Sequence, residues 1–384
     1  MKRIISAAPA AVVVMLCMCD TTACGAEKPD ISAKAAVLIS ADTGEVVYSF
    51  NASEKLPMAS TTKIMTALLC LESGGLYDEF IVDSQAIRVE GSSMGLCDGD
   101  IVTKYALCCG MLLPSGNDAA NAVAVRISGS IEAFAGLMNE RARKMGLSKT
   151  FFVTPSGLEG AGHGSSAADM ALLAREALKN ELFREICSQE SIKVSFGCPP
   201  YDRWLKNTNR LLSMYDGVYG VKTGFTDEAG RCLVSACKRG GKDLICVTLN
   251  DRNDWQDHAA IYDYGFETVR QLELTLPDNI TADIAGAASD KLKLVPDKDT
   301  YTVTTMAGNE GDFTYTVLRP PFLYAPVMEG EKVAELRISF LGREVDTINL
   351  YAAETAEAAT DNAENSRKGI FTGLKEFLGR LFSR

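Results

Sequence analysis

Histidine is almost missing from this chain: among 384 residues only His163 and His258 occur, neither in a recognisable motif setting. That scarcity argues against a Ser-His-Asp hydrolase, and with cysteines in apolar settings it argues equally against a zinc peptidase. Basic charge is also in short supply, with 39 Lys and Arg against 50 Asp and Glu and a formal net charge of −11. A nucleic-acid partner is therefore not expected. No metal or cofactor motif is present, and none is expected. Apolar runs long enough to cross a bilayer are absent beyond the first residues.

Residues 1–26 have the makeup of a secretory signal. Lys2 and Arg3 precede an apolar run from Ile4 to about Cys19, and Cys24-Gly25-Ala26 offers small residues for cleavage. A lipoprotein anchor at Cys24 is the second reading, weakened by the lack of a large aliphatic residue three positions earlier. Removing the segment leaves a net charge of about −12. It also leaves nine of the twelve cysteines, an odd number, and Cys70, Cys108, Cys109, Cys232, Cys237 and Cys246 sit among apolar neighbours. They read as buried free thiols rather than a disulfide framework.

What remains exceeds one ordinary core, so two domains are expected. Residues 27–272 alternate helical and strand-like stretches, which places them in the α/β (α+β) class. Val37-Leu38-Ile39 and Val46-Val47-Tyr48 flank the turn Asp42-Thr43-Gly44 as a hairpin, and residues 231–238 and 243–250 flank Gly240-Gly241 as another. Residues 273–351 carry short Thr/Val/Tyr-rich strands between Gly and Pro turns and read as a small all-β domain. Residues 352–368 are Ala-rich and acidic, as a linker is.

Residues 369–384 are amphipathic. Ile370, Phe371, Leu374, Phe377, Leu378, Leu381 and Phe382 fall within an arc of about 140°, and Lys375, Glu376, Arg380 and Arg384 fall outside it. A helix this short and charged does not span a bilayer. Its terminal position after an acidic linker favours lying in a membrane interface over docking on its own protein.

Three short motifs carry the chemistry. Ser60 and Lys63 lie one helical turn apart, ahead of a buried helix with Ile64, Ala67, Leu68 and Leu71 on one face. An amine beside a hydroxyl can take its proton, provided burial or a second cation keeps the amine neutral. Alone, Ser-x-x-Lys is also a common helix cap followed by a solvated lysine. Ser115-Gly116-Asn117 then occupies a tight turn between helices, and Lys222-Thr223-Gly224 lies on a strand. The plain alternatives are an ordinary Ser-Gly-Asn turn and a solvated edge-strand lysine.

The order Ser-x-x-Lys, Ser-x-Asn, Lys-Thr-Gly is shared by β-lactamases and penicillin-binding proteins. With Ser92-Ser93, the stretch Leu113-Pro114-Ser115-Gly116-Asn117-Asp118-Ala119-Ala120-Asn121, Tyr264-Gly265-Phe266, the β domain and the amphipathic tail, the chain resembles the D-alanyl-D-alanine carboxypeptidases among the low-molecular-mass penicillin-binding proteins. The resemblance implies a penicillin-binding/β-lactamase-like transpeptidase domain in which Ser60 attacks the bond between two D-alanines of a peptidoglycan stem peptide. It implies Lys63 as base, Ser115 as proton relay to the leaving D-alanine, Asn117 as a hydrogen-bond partner of Lys63 and substrate, and Lys222 and Thr223 as holders of the terminal carboxylate. Gly224 would admit the substrate backbone, and the N–H groups of Ser60 and Phe225 would form the oxyanion hole. Arg252 is a loose match for an arginine that the family places before the closing helix. β-Lactam antibiotics are implied as covalent inhibitors, and the outer face of the cytoplasmic membrane as the location.

Two alternatives stay open on the residues. A class A β-lactamase needs a Glu base with an Asn four residues on; Glu159 is the nearest candidate, but position 163 is His. A catalytically inactive wall-binding scaffold is disfavoured by the intact motifs.

Overall fold

A computed structural model describes residues 27–359. The expected signal segment, most of the linker and the amphipathic tail lie outside them.

The first part of the chain forms β1 (Ala35–Ser40) and β2 (Val46–Phe50), then a 3-10 turn over Ala59–Thr62 that runs into α1 (Lys63–Glu72). The short strands β3 (Phe80–Ile81) and β4 (Ile101–Val102) lead to α2 (Lys104–Leu112), α3 (Asn117–Ser128), α4 (Ile131–Lys144), α5 (Ala167–Ala177) and α6 (Glu181–Ser188). A hairpin of β5 (Ser191–Gly197) and β6 (Pro200–Lys206) and the single turn α7 (Leu211–Met214) follow. The part closes with β7 (Val218–Thr226), β8 (Gly230–Arg239), β9 (Lys242–Leu249) and α8 (Asp254–Thr268).

β2-β1-β9-β8-β7 make one antiparallel sheet in which β7 is an edge strand. The sheet is covered on both faces, which explains why β1, β8 and β9 are continuously buried apolar runs rather than alternating ones. On one face α1 and α5 bury Ile64, Met65, Leu68, Met170 and Leu173. On the other, α8 packs Ile261 and Tyr262 against Leu38 and Cys246.

β10 (Arg270–Thr275), β11 (Ile280–Ala285), β12 (Lys291–Pro296), β13 (Thr300–Thr305), β14 (Phe313–Leu318), β15 (Leu323–Tyr324), β16 (Lys332–Phe340) and β17 (Arg343–Ala352) build the expected all-β domain. Six of them form a sheet ordered β14-β16-β17-β12-β11-β15, and β10 pairs with β13. Alternation along β16 sends Ala334, Leu336, Ile338 and Phe340 inward to a separate core.

Two features differ from the sequence reading. Residues 356 and 358, expected in the linker, bridge Val327 and Ala287, so the β domain holds the chain to the last described residues. The hairpin β5–β6 was not expected. Its second strand is mostly exposed, including Tyr201 and Trp204, so its apolar pattern is one-sided and weak.

Candidate active site

The 3-10 turn carrying Ser60 abuts β7, and Gly224 makes that approach possible. A Cβ at Gly224 would stand 3.1 Å from Met58 O, Ser60 N and Thr61 N, all backbone atoms. Glycine here serves the close approach of strand to turn. The sequence reading gave it instead to the substrate backbone.

Lys63 opens α1 one turn after Ser60, and its side chain is fully buried. Its Nζ lies 2.8 Å from Ser60 Oγ, 2.7 Å from Asn117 Oδ1 and 2.6 Å from the carbonyl oxygen of Ser156. Burial, reinforced by the Lys222 ammonium, holds the Lys63 pKa well below the usual lysine range. A neutral amine has two N–H donors and one lone pair. Asn117 Oδ1 and Ser156 O are pure acceptors and take both donors, which leaves the lone pair for the Ser60 hydroxyl proton. The site is thus matched to the base form of Lys63. Ser156 was not found from sequence, because a backbone carbonyl has no sequence signature.

Asn117 begins α3 and its Nδ2 donates to Glu90 O at 2.7 Å. The neighbouring Asp118, also buried, accepts from Ser93 Oγ and from the N–H groups of Met94, Gly95 and Leu96. Those bonds pin the loop that presents Ser92 to the cleft. Ser115 stands at φ 67, a left-handed conformation uncommon for serine, which costs about 1–3 kcal/mol. The turn between α2 and α3 imposes it, and it brings Ser115 to the cleft beside Ser60.

The cleft, of about 370 Å³, is lined by Ser60, Ser92 and Ser115 on one side. Thr223, Gly224 and Phe225 of β7 form the other side, with Thr208 and Arg210 toward one end and Arg231, Asp254 and Trp255 completing the lining. Thr208 Oγ1 and Thr223 Oγ1 share a hydrogen bond of 2.7 Å, which fixes the Thr223 end. Lys222 is only 1% exposed and donates from Nζ to Thr223 O at 2.8 Å. It is a buried lysine, pushed down to about 7 by burial, rather than a solvated edge lysine. It is not among the residues that line the cleft, so the direct contact with a substrate carboxylate expected from the resemblance is left to Thr223.

The pairing of β7 with β8 sets the edge. Phe225 is opposite Arg231, and the Arg231 carbonyl accepts from Asp251 N–H on the β9 side. In an antiparallel ladder a residue's N–H and C=O point the same way, so those of Arg231 turn away from β7. Those of Phe225 therefore turn to the open edge, where a substrate strand can pair.

Arg252 is not brought to the cleft; its side chain is exposed in the turn before α8 and is not among the lining residues. The exposed cation beside Thr208 is Arg210, which the sequence reading missed. Glu159 and His163 line a different depression, with Lys55, Gly160 and Glu228. His163 is structural: Nδ1 accepts from Val153 N–H at 3.0 Å, which leaves Nε2–H for Thr62 Oγ1 at 2.9 Å. Among the described residues no cluster of His, Cys, Asp and Glu is arranged to hold a metal.

A family model described as D-alanyl-D-alanine carboxypeptidase matches residues 22–253, and one described as the penicillin-binding protein 5 C-terminal domain matches residues 277–358. The D-alanyl-D-alanine carboxypeptidase DacF of Bacillus subtilis is 32% identical over 363 residues, covering 90% of this chain and 89% of the relative. DacC of Escherichia coli, of the same description, is 32% identical over 360 residues, 86% of each chain. Among solved structures, the Streptomyces K15 DD-transpeptidase aligns with 62% of this chain and 99% of its own, at 32% identity and a TM-score of 0.60. Penicillin binding protein 5 from Haemophilus influenzae, 24% identical, shares the fold over 87% of this chain and 100% of its own, with a TM-score of 0.62.

Proposed function

The chain belongs to the D-alanyl-D-alanine carboxypeptidase family of serine peptidases, and from that membership we propose that Ser60 removes the terminal D-alanine of peptidoglycan stem pentapeptides through an acyl-enzyme. The observation that carries this reading is the contact of 2.8 Å between Ser60 Oγ and a buried Lys63 amine whose two N–H donors have other acceptors.

In this mechanism the Ser60 proton passes to Lys63 Nζ while Oγ attacks the scissile carbonyl carbon. The N–H groups of Ser60 and Phe225 receive the oxyanion, at a few kcal/mol per donor. Collapse breaks the C–N bond, and Ser115 relays a proton to the departing amine of D-alanine. Water, deprotonated in turn by the same lysine, cleaves the ester and restores Ser60. Asn117 orients Lys63 and the substrate amide. Thr223 and the exposed Arg210 hold the terminal carboxylate, and Lys222 supplies positive charge from beneath. A β-lactam, which imitates the dipeptide, acylates Ser60 in the same way.

The test is incubation with a stem pentapeptide ending in D-Ala-D-Ala and assay for free D-alanine; its absence with folded enzyme contradicts the reading. We further place the enzyme outside the cytoplasmic membrane, held peripherally by residues 369–384. The support is the signal-like segment 1–26 and a tail carrying Arg367, Lys368, Lys375, Arg380 and Arg384 on an otherwise acidic chain. Truncation after Ser366 is expected to abolish binding to anionic vesicles without changing turnover of a small peptide. Equal partitioning of both forms would contradict the anchor.

A further inference from the structure

Beyond Phe225 the cleft has a wall with no part in the chemistry above. Arg231 on β8 lies opposite Phe225, so both side chains leave the same face of the sheet. The start of α8 packs over that face and brings two partners to Arg231. Its Nη2 donates to both carboxylate oxygens of Asp254 at 2.8 Å, and its Cζ lies 5.3 Å from the ring centre of Trp255. Asp254 is itself fixed by accepting from Trp255 N–H at 3.0 Å.

The exposures of the pair are unequal. The Asp254 side chain is 4% exposed and the Arg231 side chain 42%. Asp254 is consumed by its protein partners. Arg231 uses a single nitrogen on Asp254, and among the described residues Nη1 and Nε have no protein acceptor. The pair therefore presents N–H donors to the cleft, held in place by a buried carboxylate and an indole. Nη1, with its N–H donors unused, is free to make a charge-assisted hydrogen bond to a carboxylate.

The substrate's path says which carboxylate. This step rests on the reading under Proposed function, with the terminal carboxylate at Thr223 and the scissile carbonyl at the Phe225 N–H. A strand paired to the open edge in that direction runs antiparallel to β7. The residue preceding the acyl D-alanine then passes Phe225 toward Thr226, away from Arg210. We propose that Arg231 is a specificity-determining residue that binds a side-chain carboxylate on the stem residue preceding the acyl D-alanine, with Asp254 and Trp255 as its positioning residues.

The experiment compares two pentapeptides ending in D-Ala-D-Ala that differ at one group: the third residue carries a free side-chain carboxylate in one and the carboxamide in the other. D-Alanine release gives kcat/KM for each, and the ratio within one protein cancels any difference in the folded fraction. The wild-type enzyme is expected to favour the carboxylate by about tenfold or more, expressed mainly in KM. In Arg231→Gln the ratio is expected to fall close to one. Because that change leaves Asp254 buried without its cation, Arg231→Gln/Asp254→Asn is measured beside it and is expected to lose the preference equally. A wild-type ratio near one, or an unchanged ratio in the variants, overturns the role of Arg231 while leaving the carboxypeptidase reading standing. No D-alanine from either peptide, with no penicillin adduct, removes both.

Discussion

Lys63 Nζ and Ser60 Oγ are 2.8 Å apart at the bottom of a cleft, and the lysine has no exposed surface. In the proposed mechanism the pair acts as nucleophile and base because the amine's other two hydrogen bonds go to acceptors that have no proton to give, Asn117 Oδ1 and the Ser156 carbonyl oxygen.

Replacing Lys63 with arginine keeps a positive charge but installs a group that is effectively never deprotonated. Lys63→Arg is expected to slow acylation by penicillin by at least about a hundredfold, the lower range for loss of a general base. A thermal unfolding curve checks that the protein is folded. Near-normal acylation in a folded variant would mean that another group takes the Ser60 proton.

The two lysines give opposite pH limbs. Lys63, held well below the usual lysine range, loses its base form as pH falls through that depressed value. Lys222 is pushed down to about 7, so its ammonium is lost as pH rises through it. The rate of acylation by penicillin, followed against pH, is therefore expected to decline on the alkaline side from about neutral. A rate that climbs instead, as for a freely titrating lysine, contradicts this assignment.

Gly224→Ala puts a methyl group 3.1 Å from the backbone of Met58, Ser60 and Thr61. The 3-10 turn and β7 must separate, which pulls apart the two N–H donors, of Ser60 and Phe225, proposed for the oxyanion hole. The expected loss in acylation rate is about a hundredfold, the scale of one misplaced donor, in a protein that still unfolds cooperatively. Unchanged acylation would show that the turn and strand do not need this proximity.

How far the sequence foretells the site depends on whether a residue acts locally or across the fold. Ser60 and Lys63 are legible because three residues along a helical turn bring side chains together whatever surrounds them. The Ser115 turn and the β7 motif are legible through their order along the chain. The burial of Lys222 is not, since a lysine on an edge strand is ordinarily solvated and only the elements packed against β7 exclude water. Arg231, Asp254 and Trp255 meet because a helix lands on a strand; no spacing encodes that. Arg252 failed for the complementary reason. Its place before α8 suggested the cleft, but at that point the chain turns its side chain outward.

Among the described cysteines, Cys97 and Cys198 are exposed and the other seven are buried. Burial pushes the thiols of Cys187, Cys232 and Cys237 up to about 12 and so disfavours their reactive thiolate form. A thiol reagent is expected to label Cys97 and Cys198 in the native protein and all nine in denaturant without reductant. Eight of nine already oxidised would overturn the picture of free core thiols.

The identity of the nucleophile is tested most directly by mass spectrometry after penicillin treatment. The account predicts the intact drug's mass added to the proteolytic peptide that contains Ser60, and no such addition in Lys63→Arg over the same time. An adduct on any other peptide, or none on folded wild-type protein, would contradict it.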